Sequence, residues 1–225
     1  AVWVIDARPG SATFNQVLRT IDLKHERKAL SGISVTADGR HLLVGTGTEF
    51  DHGYLGIYKL DPYNEPTADD PKLDKWGTLE YDVALPGIPE GIAASPNLDM
   101  AGYVAITYYY KVTGYSPWRA PGDMRNLEHV GLLTLGANGP SLDSVVTKVQ
   151  GGNLVSFAEP YYSGYYTNLL TPNSVALAPD LSYMYLGEWQ LFLVSGYGGQ
   201  YGDKVGLVRD PFNLQGKRQY LGATT

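Results

Sequence analysis

Four histidines, His25, His41, His52 and His129, are the first side chains to test for chemistry. None stands at H-x-H or H-E-x-x-H spacing, so a zinc or copper centre has no support. Glu49-Phe50-Asp51-His52 could hold a general base oriented by a carboxylate, but a polar turn explains the same residues more cheaply. Ser195 lies in Leu-Val-Ser-Gly-Tyr-Gly-Gly, without the G-x-S-x-G elbow of a nucleophilic serine. The glycine-rich run Gly196–Gly202 leads into no helical pattern, which argues against a phosphate cradle. Asp61, Asn64, Glu65, Asp69, Asp70 and Asp74 crowd one loop, but they lack the EF-hand spacing and its glycine, and they read as a solvated segment. No residue is assigned as catalytic on these grounds.

Aromatic side chains are the stronger signal. The chain has 18 Tyr and 4 Trp, and many fall between strand-like runs. Tyr109, Tyr115, Trp118, Tyr161, Tyr162, Tyr165, Trp189 and Tyr197 are the candidate binding residues. Tyr and Trp supply wide contact area at low entropic cost while their polar tips still meet water. Such a surface suits a glycan or a polypeptide. Packing of these rings against one another, simply to order long loops, is the competing explanation.

The elements that would carry these loops are strands. The 225 residues are 44% hydrophobic and 18% charged, with 27 Gly and 14 Pro. That composition opposes disorder and suits short strands joined by turns. Net charge is −6, and the one small basic stretch, Lys24–Lys28, is interrupted by Glu26, so neither nucleic acid nor an anionic membrane is an expected partner. There is no cysteine, which excludes thiol chemistry and leaves the compartment open. No apolar run approaches the roughly 20 residues needed to span a bilayer. The chain opens directly on a strand-like segment, Ala1–Ile5, and is expected to be a mature or excised piece.

Three segments align without gaps: Gly32-Ile-Ser-Val-Thr-Ala-Asp38, Gly91-Ile-Ala-Ala-Ser-Pro-Asn97 and Ser174-Val-Ala-Leu-Ala-Pro-Asp180. Each is an alternating strand that ends in an Asx residue, which favours a turn through its own backbone. Each leads into a second apolar strand, and further strand pairs lie between. With the hairpin strands labelled a and b and the following pair c and d, the chain reads cd–abcd–abcd–abcd. Four-stranded units of this kind are propeller blades. A β-sandwich with accidentally similar hairpins is the competing architecture. Spacings between the motifs exceed the roughly 40–50 residues usual for a blade, which leaves room for an unrecognised strand in the second gap. The a–b turns are tight, whereas the b–c connections and the last d–a connection are long, so most loop length projects from one face, where binding usually resides.

The segments Ser31–Gly45, Pro89–Ile106 and Pro172–Gly187 resemble the repeat of the YVTN/YncE-like, lactonase-like β-propellers. That resemblance implies an all-β propeller and leaves function open, because lactonases and pure binding modules share the repeat. In gluconolactonase-like propellers Glu and Asn side chains surround a divalent cation at the axis; by this resemblance Glu90 and Asn173 are candidate metal residues and Ca²⁺ is the candidate ion. Ser31 takes the matching place before the first hairpin.

The expectation is one propeller segment over residues 1–225, about three and a half blades, with hairpins near 31–45, 90–107 and 173–187. It belongs to a larger propeller, completed by other segments of the parent chain or by a protein partner. The leading function is a non-catalytic binding or scaffold segment of a secreted, periplasmic or cell-surface bacterial protein, without a cofactor. The alternatives are a lactonase-like hydrolase with a central divalent cation, and a structural subunit whose partner chain supplies the remaining blades.

Overall fold

A computed structural model describes residues 1–23, 29–47, 53–60, 77–109, 128–146, 158–160, 167–192 and 201–224. Strands β1 (Val2–Ile5) and β2 (Val17–Ile21) form a two-stranded sheet. Three larger antiparallel sheets follow in chain order. The first blade is β3 (Ala29–Val35), β4 (His41–Gly47), β5 (Gly53–Lys59) and β6 (Thr78–Leu85). The second is β7 (Ile88–Ala94), β8 (Tyr103–Tyr109), β9 (Glu128–Gly136) and β10 (Gly139–Val146). The third is β12 (Thr167–Leu177), β13 (Tyr183–Phe192), β14 (Tyr201–Arg209) and β15 (Gln219–Thr224), with a short extra strand, β11 (Ala158–Pro160), on the free side of β12.

Each blade is a meander whose neighbours in sequence are neighbours in space. The innermost strands touch in series: β3 lies against β7, and β7 against β12. Successive four-stranded meanders stacked face to face, with their first strands adjacent, are the blades of a β-propeller. The pair β1–β2 takes the place of strands c and d, so it is a half-blade.

Side-chain alternation drives the stacking, because a blade between two others must be apolar on both faces. In β4, Leu42 and Val44 turn to the half-blade, where they pack with Ile21, Val2 and Val4. Leu43, between them, turns the other way and joins Leu55 and Ile57 against Val104, Ile106 and Tyr108 of β8. Ala105, Val130 and Leu132 then face Leu177, Met184, Leu186 and Val208 of the third blade. Gly131 gives Tyr108 its place, since a Cβ there would overlap the Tyr108 hydroxyl.

The a–b turns share one device. The N–H of Arg40 donates to Asp38 Oδ1 at 3.1 Å, that of Asp99 to Asn97 Oδ1 at 3.0 Å, and that of Ser182 to Asp180 Oδ1 at 3.0 Å. The second turn adds a short 3₁₀ segment, Leu98–Met100. Gly39 and Leu181 occupy matching left-handed positions, at φ 69° and 56°. A leucine tolerates that conformation here because its side chain is buried in the core between the second and third blades.

Some sequence-based boundaries change. The third blade has five strands, so the second gap did conceal one, β11. Strand d of the second blade spans Gly139–Val146, and the two-residue turn Ala137-Asn138 closes it directly onto β9. The third hairpin begins at Thr167, well before residue 173.

Candidate functional site

Every inner strand breaks its register at the same phase. In the first blade Leu30 faces Thr46 and Ile33 faces Val44, so Ser31 and Gly32 together oppose Gly45. In the second, Pro89 faces Tyr108 and Ile92 faces Ile106, so Glu90 and Gly91 oppose Thr107. In the third, Pro172 faces Glu188 and Ser174 faces Gly187, with Asn173 as the extra residue. These are β-bulges, which re-aim a side chain and free backbone groups from the ladder. At the second bulge Thr107 Oγ1 accepts the Gly91 N–H at 2.9 Å.

Ser31, Glu90 and Asn173 therefore stand at one position of three adjacent inner strands, at the end opposite the Asx turns. That end receives the b–c connections. Tight approach of the strands depends on a glycine: a Cβ on Gly32 would come within 2.9 Å of Ile92 Cγ1 and 3.2 Å of the Glu90 carbonyl oxygen. Ser34 Oγ accepts the Ala94 N–H at 3.2 Å and ties β3 to β7 just beyond. Glu90 is half-buried, and burial pushes its carboxyl above the usual carboxylate range.

Of the aromatic candidates, Tyr109 and Trp189 lie on strands rather than in loops, ending β8 and continuing β13, because the ladders extend past the expected hairpin ends. They occupy matching ladder positions: Tyr109 pairs with Ile88, and Trp189 with Thr171. Gly47, paired with Ala29, takes that place in the first blade. Both aromatics thus belong to the same end of their blades as Glu90 and Asn173. Tyr115, Trp118, Tyr161, Tyr162, Tyr165 and Tyr197 lie outside the described residues, as do Glu49–His52, the acidic loop at 61–74 and Ser195. The sequence motif could have exposed the bulges, since the position before its small first residue carries Ser31, Glu90 and Asn173 in turn; periodicity alone hides them.

Among the described residues, the strand positions at this end supply only part of a calcium shell. The three matching positions carry a Glu, an Asn and a Ser in the sequence, whereas Ca²⁺ takes about six to eight oxygens. Among the described residues no group of three His, Cys, Asp or Glu side chains is arranged to hold an ion.

Among the described residues the most perturbed carboxylate is elsewhere. Asp6, buried after β1, accepts hydrogen bonds from Arg8 Nε at 2.9 Å, Ser11 Oγ at 2.6 Å, Thr13 Oγ1 at 2.6 Å and the Arg8 N–H at 3.0 Å. The Arg8 guanidinium and the two hydroxyls hold its carboxyl far below the usual range. Asp210, buried after β14, accepts the N–H groups of Leu214, Gln215 and Lys217 at 2.7–2.9 Å. Both organise c–d turns and are saturated by that task.

No protein-family model and no curated protein matches the chain. Among solved structures it is similar to a Bacteroides fragilis protein provisionally named 6-phosphogluconolactonase, at 15% identity and a TM-score of 0.46, over 93% of this chain and 47% of that one. It is similar to the periplasmic gluconolactonase of Pseudomonas aeruginosa at 15% identity and a TM-score of 0.42, over 92% of this chain and 59% of that one. Likeness to the hydrazine synthase of Kuenenia stuttgartiensis is weaker, at 10% identity and a TM-score of 0.32, over 85% of this chain and 59% of that one. The chain spans about half of the length of these proteins. The fold assignment rests on the sheets themselves. No helix among the described residues is long and apolar enough to cross a membrane.

Proposed function

We propose that the chain is a segment of a lactonase-like propeller whose bulged end takes a small hydroxylated ring ester, with Glu90 as the proton-accepting group. The observation that carries this is the threefold bulge, which puts Glu90 and Asn173 side by side on adjacent inner strands. The hairpin resemblance supports the same class. A desolvated carboxylate is a stronger base than one in water. It takes a proton from an attacking water as the water oxygen bonds to the ester carbonyl carbon; the ring C–O bond then breaks, and the proton passes to the leaving alkoxide. No step is routed through a metal.

Gluconolactone is the probe. Ring opening above the spontaneous rate should rise with pH through an apparent pKa above the usual Glu value of about 4.3, and Glu90→Gln should abolish the excess. An unchanged rate in Glu90→Gln, with far-UV circular dichroism intact, overturns the assignment. The resemblance also supports a periplasmic or extracellular site of action.

A binding-only reading is favoured by one further observation, the matching positions of Tyr109 and Trp189. In that case the same end holds a sugar without turning it over, and calorimetry with gluconate detects an affinity that Glu90→Gln leaves intact and Trp189→Ala removes.

A further inference from the structure

We propose that Thr107 is a positioning residue of the bulged end: its hydroxyl clamps the second bulge and thereby fixes where Glu90 stands. The inference rests on the reading of Glu90 as the reactive carboxylate.

An extra residue in one strand leaves a backbone group without its ladder partner, and something else must satisfy that group. Three inner strands carry such a residue, and the strand opposite answers differently in one of them. Gly45 stands opposite the first bulge, and Gly187 holds the matching place at the third. Neither has a side chain to offer. Thr107 stands opposite the second. Its Oγ1 accepts the Gly91 N–H at 2.9 Å, in place of the missing ladder bond. Of the three bulges, only the one that carries a carboxylate is closed by a side chain of the opposite strand.

Thr107 is built for that task. It is fully buried, so water does not compete for the amide. Branching at Cβ makes its χ1 stiff, so the acceptor oxygen has a fixed place. Ala105, two residues earlier, packs against the third blade, and strand alternation puts Thr107 on the same face. Tyr108 fills the other face, fully buried against the first blade.

Glu90 is thereby held from both sides. Pro89 before it is buried, and its ring fixes φ. A Cβ on Gly53 of the first blade would come within 2.9 Å of Pro89 Cδ, so that side is tightly packed. Gly91 after it is the residue type with the most backbone freedom, and the hydroxyl of Thr107 removes that freedom. A base works only from a narrow range of positions. Thr107 acts on Glu90 through the Gly91 backbone.

Two variants separate the hydroxyl from the bulk of the side chain. Thr107→Val keeps the shape and removes the acceptor; Thr107→Ser keeps the acceptor. In Thr107→Val the excess rate of gluconolactone opening should fall about ten- to a hundredfold. The loss should lie in kcat with KM unchanged, and Thr107→Ser should recover most of the rate. Hydrogen exchange at the Gly91 amide should quicken in Thr107→Val by more than exchange at the core amides of β4, whereas a residue that only stabilises the fold would move both alike. Should Thr107→Val misfold, Thr107→Gly takes its place, since it reproduces the residue of the other two blades. The proposal is overturned if the acceptor-free variant turns over gluconolactone as the parent does, if its loss lies in KM alone, or if Thr107→Ser recovers nothing. It is equally overturned if Gly91 exchange quickens no more than that of β4. A parent chain that opens gluconolactone no faster than water does removes the hydrolase reading instead, and the exchange comparison then decides the clamp by itself.

Discussion

The interface between the first and second blades and the interface between the half-blade and the first blade use the same residue pattern, yet one is sealed and the other half open. In the sealed one, Leu43, Leu55 and Ile57 meet Val104, Ile106, Tyr108 and Leu133, all deeply buried. In the open one, Ile21, Leu42, Val44 and Tyr58 form a smaller core that stops short of Ile33 and Val35. The lesson is that a blade strand acquires its burial from the neighbouring sheet, because a single sheet can cover neither of its own faces. Identical patterns therefore contribute very different stability according to what lies opposite.

Four experiments break or sharpen that contrast. The largest effect is expected for Ile106→Ala, which opens a cavity in the sealed interface and should cost about 2–5 kcal/mol in urea unfolding. Ile33→Ala in the open interface should stay within about 0.5 kcal/mol of the parent. Equal costs at the two sites would dissolve the distinction. Gly131→Ala drives a methyl group into Tyr108 and should cost about 1–3 kcal/mol by overpacking, seen as a lower urea midpoint.

The third test concerns the half-blade, whose c–d turn depends on Asp6 rather than on a large core. The folded pKa of Asp6 is depressed, so its contribution is fully present above the ordinary Asp value of about 3.9. It is lost progressively as pH falls below that value towards the folded pKa. The melting temperature should drop on acidification below about pH 4, and Asp6→Asn should start lower and show a shallower drop. A variant that keeps the parent's full acid slope would exclude Asp6 as its source. The smallest effect belongs to the rim of the second and third blades, where Arg218 Nη2 donates to Asp143 Oδ2 at 2.8 Å. A double-mutant cycle should give a coupling of about 0.2–1 kcal/mol that high salt removes, since Asp143 is well exposed.

The blade count and the hairpin phase were legible because they are local. Alternation, Asx turns and the recurring small residue each act within about ten residues of sequence, and Asp38, Asn97 and Asp180 do what their type predicts. The short strand β11 was not legible, because three residues carry no period of their own and only the ladder with Thr167–Leu169 makes them a strand. Likewise Tyr109 and Trp189 read as loop residues, because strand ends are set by the ladder opposite and not by the residue itself.

Glu90 shows the same division. Its place before the second hairpin could be read from the repeat, and so could the matching places of Ser31 and Asn173. The bulges, the glycine-mediated approach of β3 to β7 and the burial that raises the Glu90 carboxyl could not. By itself the sequence determined the elements, their order and the apolar faces, since those follow from side-chain period and turn chemistry. Only the tertiary structure decided which face is covered, which register slips and which carboxylate loses its water, because each depends on atoms that another sheet brings into contact.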